Sequence, residues 1–163
     1  SQCLRGSLFY TNNLCYTYFI KNNNKRSNNM ENIINVLKNC PMVFAATVDD
    51  KNRPNNRPVA LAMEDNGTLF FSTSTETSLF RDLQKNPFIS FTAMIDQQSW
   101  IQINAEAVFA EDMAIKEMII SNNQVLKKRF QTADNRILKI FKLSGGTAKF
   151  YDRSGNAPRI VNF

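Results

Sequence analysis

The sequence predicts a mainly β protein with a few helices, an α+β fold whose antiparallel strands close fully or partly into a barrel. Three observations carry this prediction. Short apolar strand patterns follow one another along the chain, and turn residues separate them. The sequence Asp65-Asn66-Gly67 joins two of these strands as a hairpin, since Asn-Gly tolerates positive φ. Few helical patterns interrupt the strands, and closing the sheet would remove its exposed edges.

The helices are predicted from the spacing of their apolar residues and from their boundary residues. The first carries Ile33, Ile34 and Leu37 on one side and ends before Pro41, because proline cannot continue a helix. A short helix at Leu79–Lys85 ends in the same way, before an Asn-Pro pair. Two further helices are predicted at Asp112–Ser121 and Val125–Phe130.

The strands are predicted from apolar or alternating runs bounded by turn residues. Trp100–Ala110 alternates with period two, which places successive side chains on opposite faces of the sheet. Gly145-Gly146 is predicted as a turn between two late strands. In chain order the predicted strands are Met42–Val48, Asn56–Met63, Thr68–Thr73, Phe88–Ile95, Trp100–Ala110, Ile137–Lys142 and Ala148–Asp152, with a short edge at Ile160–Phe163.

Residues 1–29 differ in composition from the rest of the chain. Seven of the first 30 residues are Asn, and these 30 residues hold four basic and no acidic side chains. The other residues hold 16 basic and 14 acidic side chains, so most of the net charge of +6 lies at the start. We interpret residues 1–29 as a disordered or non-native extension and residues 30–163 as the folded domain.

The composition excludes or disfavours several classes of function. The sequence contains no histidine, which excludes Ser-His-Asp and Cys-His nucleophile systems and His-ligated metals. Its three cysteines have no CxxC spacing, so we expect no metal site and a cytoplasmic location. The nearly balanced charge of the body and the lack of a long apolar run predict no nucleic-acid partner and no membrane partner. If the protein is an enzyme, a bound cofactor should carry the chemistry.

The first candidate site segment is Arg57-Pro58-Val59, a polar break in an otherwise apolar strand. Proline cannot donate a ladder hydrogen bond, so Pro58 is expected at a sheet edge or a bulge. Arg57 would offer a rigid fork of N–H groups to a phosphate or to a carbonyl-rich ring. The alternative interpretation is a surface arginine beside an edge-strand proline.

The second candidate is the hydroxyl-rich run that precedes the predicted helix at Leu79–Lys85. Hydroxyl groups, free backbone N–H groups and the positive end of a helix together favour an anion. Ordinary capping of the helix is the alternative. The hydroxyl residues of this run are Ser72, Thr73, Ser74, Thr75, Thr77 and Ser78.

The third candidate is the face of one strand that carries Trp100, Gln102 and Asn104 at alternating positions. The tryptophan would cover a flat ring, and the two amides would orient it by hydrogen bonds. The alternative is a core tryptophan with polar neighbours that face water.

Five segments taken in order are Arg57-Pro58-Val59, Leu69–Thr73, Leu83–Pro87, Trp100–Phe109 and Phe150–Gly155. Their order and spacing resemble the FMN-binding split-barrel superfamily. The most similar branch is the pyridoxamine 5'-phosphate oxidase-like proteins, which include nitroimidazole-resistance-type reductases. The resemblance covers about residues 30–163 and rests on the whole order of segments rather than on one motif.

The resemblance implies a six-stranded antiparallel split β-barrel of FMN-binding type, present as a homodimer with two FMN molecules at the subunit interface. Arg57, Val59 and the strand after them would lie along the flavin, and Pro58 would belong to the same cofactor site. The run Ser72–Ser78 would hold the phosphate of the flavin. Trp100 and Gln102 would approach from the strand that helps to form the dimer cleft.

Two positions depart from the pattern of the family. Related proteins commonly carry a lysine in the loop before the helix, where this chain has Thr77, and often an arginine where it has Gln102. Each lost charged hydrogen bond is expected to weaken FMN binding by about 1.5–3 kcal/mol. The nearest other cation in the sequence is Arg81, about one helical turn further on.

The leading hypothesis is an FMN-binding oxidoreductase that transfers a hydride or electrons from NAD(P)H to a small organic acceptor, with no nucleophilic residue. The main alternative is a non-catalytic flavin-binding protein that stores or senses the cofactor. A third possibility is a different planar ligand, either haem or the deazaflavin coenzyme. Haem is disfavoured because the chain has no histidine to ligate its iron.

Overall fold

The computed structural model describes residues 29–40 and 42–163, so the interpretations of residues 1–28 and of Pro41 lie outside the described part. Within these ranges no helix is long and apolar enough to cross a membrane. The helices are α1 (Asn29–Asn39), α2 (Ser78–Lys85), α3 (Met113–Asn122) and α4 (Gln124–Phe130). The strands are β1 (Val43–Val48), β2 (Pro54–Val59), β3 (Leu61–Asp65), β4 (Thr68–Ser74), β5 (Phe88–Met94), β6 (Trp100–Ala110), β7 (Leu138–Tyr151) and β8 (Arg159–Asn162).

The strands form one antiparallel sheet in the order β2-β1-β5-β6-β7-β4-β3, and β8 pairs with β7 off this path. The two end strands, β2 and β3, are separated by Ala60 alone. The sheet must therefore curl until its ends meet, which gives a split barrel. The predicted fold class is confirmed, although the path holds seven strands rather than six.

The seventh strand arises because the predicted strand Asn56–Met63 is divided. Val59 pairs with Val43 of β1, whereas Leu61 pairs with Phe71 of β4, at the other end of the sheet. A register shift between Leu61 and Met63 accompanies this change of partner. The apolar run from Val59 to Met63 continues through the division, so no local pattern indicates that the pairing partner changes.

The Asn66-Gly67 hairpin is confirmed, with φ of 47° and 81° at the two residues. The predicted turn at Gly145-Gly146 is wrong, because β7 runs through both glycines as a single strand of 14 residues. Ala105 pairs with Gly146 and Glu106 pairs with Ser144, so Gly145 is the extra residue of a β-bulge. Its φ of 67° explains why a glycine stands there.

The core fills the barrel and extends beneath the helices. Phe71 lies at its centre, with its ring stacked on those of Phe91 and Phe141 at centroid distances of 4.7 and 5.5 Å. Leu79 and Leu83 of α2 are buried in the same cluster, which fixes this helix against the barrel. A second cluster packs α3 and α4 onto the other face of β4 and β7; it consists of Phe70, Ile119, Ile120, Phe130, Leu138 and Ile140.

Candidate functional site

Arg57 lies on β2 with its side chain on the core-facing side of the sheet. Its register partner is the buried Ala45, whereas the next residue, Pro58, pairs with the exposed Phe44. The side chain of Arg57 is 19% exposed, so most of it is covered by its neighbours. The interpretation of Arg57 as a simple surface arginine is therefore wrong. Its neighbour Pro58 does lie on the edge strand, as expected.

The guanidinium of Arg57 is held by three side chains. Its Nη1 donates to Thr47 Oγ1 at 2.5 Å. Its Nη2 donates to Asp82 Oδ2 at 3.1 Å and lies 3.5 Å from Ser78 Oγ. These contacts bring β1, β2 and the first turns of α2 together at one point, which we call the Arg57 corner and define by Thr47, Arg57, Ser78 and Asp82.

Asp82 is the centre of the Arg57 corner. Its side chain is 6% exposed, and its Oδ2 accepts hydrogen bonds from Thr47 Oγ1 at 2.6 Å and Asn55 Nδ2 at 3.0 Å as well as from Arg57. A buried carboxylate with three donors is well satisfied. The corner therefore contains one positive and one negative charge in direct contact, and these two charges cancel.

The hydroxyl-rich run divides between two sides of β4. Thr73 Oγ1 contacts Thr77 Oγ1 at 2.8 Å, and both lie near the start of α2. Ser72 and Ser74 instead alternate with Thr73, and the buried Ser74 accepts a hydrogen bond from the backbone N–H of Glu76. The Thr73 and Thr77 hydroxyls therefore meet at the start of α2, whereas the Ser74 hydroxyl contacts the loop that leads to this helix.

Thr77 caps α2, as the capping interpretation predicted for this run. Its Oγ1 accepts a hydrogen bond from the backbone N–H of Phe80 at 3.2 Å, which satisfies one of the free N–H groups of the first turn. The next residue, Ser78, is exposed, and its Oγ lies 3.5 Å from Arg57 Nη2. Thr75 is half-buried, and its backbone N–H donates to the carbonyl oxygen of Ile137.

Trp100 and Gln102 lie on the face of the sheet that points away from the core. Ile101 and Ile103, which alternate with them, are fully buried. The indole of Trp100 stacks on Tyr151 of β7, with ring centroids 5.0 Å apart and 7° between the planes. The hydroxyl of Tyr151 lies 3.5 Å from Gln102 Oε1. The interpretation of Trp100 as a core residue is therefore wrong.

The same face continues across neighbouring strands and is apolar at one end. Met94 pairs with Trp100, and Phe44 lies next to Thr92, the partner of Gln102. Phe44 and Met94 are 53% and 54% exposed. We call this surface the outer face and define it by Phe44, Pro58, Met94, Trp100, Gln102 and Tyr151.

The predicted site residues therefore form two groups in one chain. Arg57 and Ser78 meet at the Arg57 corner, whereas Trp100 and Gln102 lie on the outer face, on the opposite side of the sheet. Val59 returns to the core-facing side, where it packs at the edge of the main cluster.

Three residues of this site, Thr47, Asn55 and Asp82, were not among those predicted from the sequence. Thr47 and Asn55 are register partners on β1 and β2, two residues from Arg57 along the latter strand. That alternation was readable from the sequence, but the pairing register was not. Asp82 lies one helical turn after Ser78, so a helix that carries both on one face was a usable signal.

The sequence of residues 30–141 matches the family described as pyridoxamine 5'-phosphate oxidase. This match covers more than half of the chain. No curated protein matches the chain in sequence.

Solved structures share the fold. A NimC/NimA family protein from Clostridium acetobutylicum has a TM-score of 0.74 at 19% identity, over 83% of this chain and 94% of its own. A pyridoxamine 5'-phosphate oxidase-related, FMN binding protein from Nostoc punctiforme has a TM-score of 0.59 at 12% identity, over 74% and 78%. The heme storage protein HutZ from Vibrio cholerae has a TM-score of 0.56 at 17% identity, over 82% and 92%. At these identities the likeness establishes the fold alone. With the family match over residues 30–141, the fold and the order of its segments show that this chain belongs to the pyridoxamine 5'-phosphate oxidase family.

Proposed function

We propose that the protein binds FMN between two copies of the chain and transfers a hydride or electrons from NADH or NADPH to a small organic acceptor. One observation carries the proposal. Arg57 Nη2 and Ser78 Oγ lie 3.5 Å apart at the first residue of α2, so a guanidinium and a hydroxyl meet beside the N–H groups of the first helical turn. The FMN binding protein of Nostoc punctiforme, which shares the fold, adds support.

The residues of the Arg57 corner fit the oxygen-rich part of a flavin. A guanidinium has five N–H donors, and three of those of Arg57 have acceptors within the described residues. The remaining donors and the exposed Ser78 hydroxyl are available to ligand oxygens. A flavin would supply the hydride or electron transfer itself, and the chain would bind it, orient it and exclude water.

The outer face fits the flat ring system that such a ligand carries. The stacked pair of Trp100 and Tyr151 presents an aromatic surface beside the Gln102 amide, which offers both a donor and an acceptor. Because this group lies on the opposite side of the sheet from Arg57, one chain does not bring both groups to one ligand. A second copy of the chain would supply the missing half.

We therefore propose that the outer face packs against a second copy. Phe44 and Met94 are more than half exposed, and they lie in register with Pro58 and Trp100 on adjacent strands. Apolar side chains gathered on a sheet face favour burial, and a stable twofold contact buries at least about 1,000 Å². Tyr151 extends the surface onto β7, so five neighbouring strands contribute to it.

Light scattering of two matched variants tests the dimer. Phe44→Asp places a charge in the centre of the outer face and should convert the protein to monomers at micromolar concentration. Val125→Asp is the control, because Val125 is also exposed but lies on α4, away from that face. A monomeric wild type, or equal masses for the two variants, would contradict the shared site.

Anaerobic reduction tests the enzyme. The protein loaded with FMN should lose its visible flavin absorbance on mixing with NADH or NADPH at least about tenfold faster than free FMN does, because the site holds the two rings together. Reduction at the rate of free FMN with both donors, while dithionite still bleaches the bound flavin, would refute the oxidoreductase. That result would favour the alternative function, a non-catalytic flavin-binding protein.

A further inference from the structure

We propose that Asp82 determines the ligand specificity of this site, by neutralising Arg57 so that the site discriminates little between flavins with and without a phosphate. This inference rests on the flavin binding proposed above and adds to it the chemical class of ligand that the corner accepts. The observation behind it is the direct contact between the Arg57 guanidinium and a buried carboxylate.

A site that selects a phosphate needs positive charge that the protein has not already balanced. In the Arg57 corner the Arg57 charge is balanced at 3.1 Å by Asp82. The loop and the helix beside it add Glu76 and Arg81, one charge of each sign, and Arg81 Nη1 donates to the backbone oxygen of Glu76. A doubly charged phosphate that approached this corner would meet, within one chain, four charged side chains whose formal charges sum to zero.

The position of Asp82 makes this balance a fixed property of the fold. Asp82 lies on α2 between Leu79 and Leu83, both of which are buried in the core. Thr47 and Asn55 donate to the same oxygen, Oδ2, that Arg57 contacts. The carboxylate is therefore held in place by the core and by three donors, and a ligand would have to compete with it for Arg57.

Uncharged oxygen atoms of a ligand would form hydrogen bonds at this corner, whereas a phosphate would gain little binding free energy there. Ribityl hydroxyls and ring carbonyls accept hydrogen bonds from the donors of Arg57 that remain and from Ser78 without adding charge near Asp82. The same carboxylate would repel a phosphate bound beside Arg57. The corner is thus suited to the uncharged part of a flavin, and we expect wild type to bind FMN and riboflavin with dissociation constants within about tenfold of each other.

The experiment measures the dissociation constants of riboflavin and FMN by fluorescence quenching, for wild type and three variants. Asp82→Asn keeps the shape and one acceptor oxygen but removes the negative charge. Arg57→Gln/Asp82→Asn removes both charges and keeps their sum at zero. Asp50→Asn is the control, because Asp50 is an exposed carboxylate whose only ion pair is with Lys85 at 3.6 Å among the described residues.

The ratio of riboflavin to FMN dissociation constants reports the inference. Asp82→Asn should raise it by about tenfold or more, because Arg57 then carries an unbalanced charge. The double variant and Asp50→Asn should leave it within about threefold of wild type. Thermal unfolding with and without riboflavin checks that each variant is folded. If Asp82→Asn does not fold, the ratios measured for wild type and the double variant test the inference.

The outcomes separate the inference from the function on which it rests. A wild type that binds FMN more than about a hundredfold tighter than riboflavin, or a double variant that loses such a preference, would show that Arg57 holds the phosphate despite Asp82. Asp82→Asn that weakens FMN selectively would show that Asp82 positions Arg57 for the phosphate. Each result overturns the inference and leaves flavin binding intact. Binding of neither flavin by wild type would refute the proposed function and the inference together.

Discussion

Replacing Gly146 by alanine tests the β-bulge that interrupts the pairing of β6 and β7. A Cβ atom at this position would lie 2.5 Å from the backbone oxygen of Asn104 and 2.9 Å from the Cβ of Ala105. A backbone oxygen in a paired strand cannot rotate away as a flexible side chain can. Gly146 also exchanges two backbone hydrogen bonds with Phe163, at 2.9 and 3.1 Å, so a shift of β7 would disturb β8 as well.

The expected loss follows from these distances. Overpacking of this kind costs about 1–3 kcal/mol, and the clash with a fixed backbone atom places Gly146→Ala near the upper end. Alanine recovers about 0.4–1 kcal/mol by restricting the unfolded chain, which leaves a net loss of about 2 kcal/mol. For a chain of this size the thermal midpoint should fall by about 4–8 °C.

Thermal unfolding followed by circular dichroism measures this loss, with Gly155→Ala as the control. Gly155 has a φ of 81° and no heavy atom within 4 Å of the added Cβ, so its substitution reports backbone strain alone, about 1 kcal/mol. If Gly146→Ala loses no more stability than Gly155→Ala, Gly145 and Gly146 do not lie in a paired strand. The interpretation as a turn would then be restored.

Three further predictions concern stability. Phe71→Ala should cost about 3–5 kcal/mol in denaturant unfolding, because it removes the ring between Phe91 and Phe141; a loss below about 1 kcal/mol would contradict this core. The Lys38 ammonium and the Gly67 N–H lower the pKa of Glu64, so its stabilising effect is complete above its usual pKa near 4.5 and is lost as the pH falls through the lower, folded value. The stability of Glu64→Gln should therefore change less below pH 4.5 than that of wild type, and equal slopes would exclude this role. A chain that begins at Met30 should unfold within about 2 °C of the full chain, and a larger loss would show that residues 1–29 stabilise the domain.

Most of the fold could be predicted because its signals are local. The hairpin at Asn66-Gly67 needs only two residues with positive φ, and the strand at Trp100–Ala110 shows its two faces in its own alternation. The divided strand at Ala60 and the bulge at Gly145 could not be predicted in this way. Both depend on which distant strand pairs with each residue, and that choice is made by the whole sheet.

The candidate site could be predicted only in part, for the same reason. Arg57 and Ser78 carry chemistry that a sequence displays, and their contact follows from the packing of α2 against the barrel. The charge balance between Arg57 and Asp82 could not be predicted, because the two residues are 25 positions apart in the sequence. No local pattern distinguishes Asp82 from an ordinary exposed carboxylate on a helix. The sequence also could not tell that Trp100 lies on the opposite side of the sheet from Arg57.

Ala60 covalently connects the two end strands of a barrel whose other neighbouring strands are joined by hydrogen bonds. Every neighbouring pair of strands along the path is joined by a ladder, whereas β2 and β3 are joined by the chain itself. Cutting the peptide at this exposed residue would break none of those ladders, so a circularly permuted chain that starts there should keep each strand pair. In the permuted chain only side-chain packing would hold β2 and β3 together, so the barrel would be weakest beside Arg57 of β2.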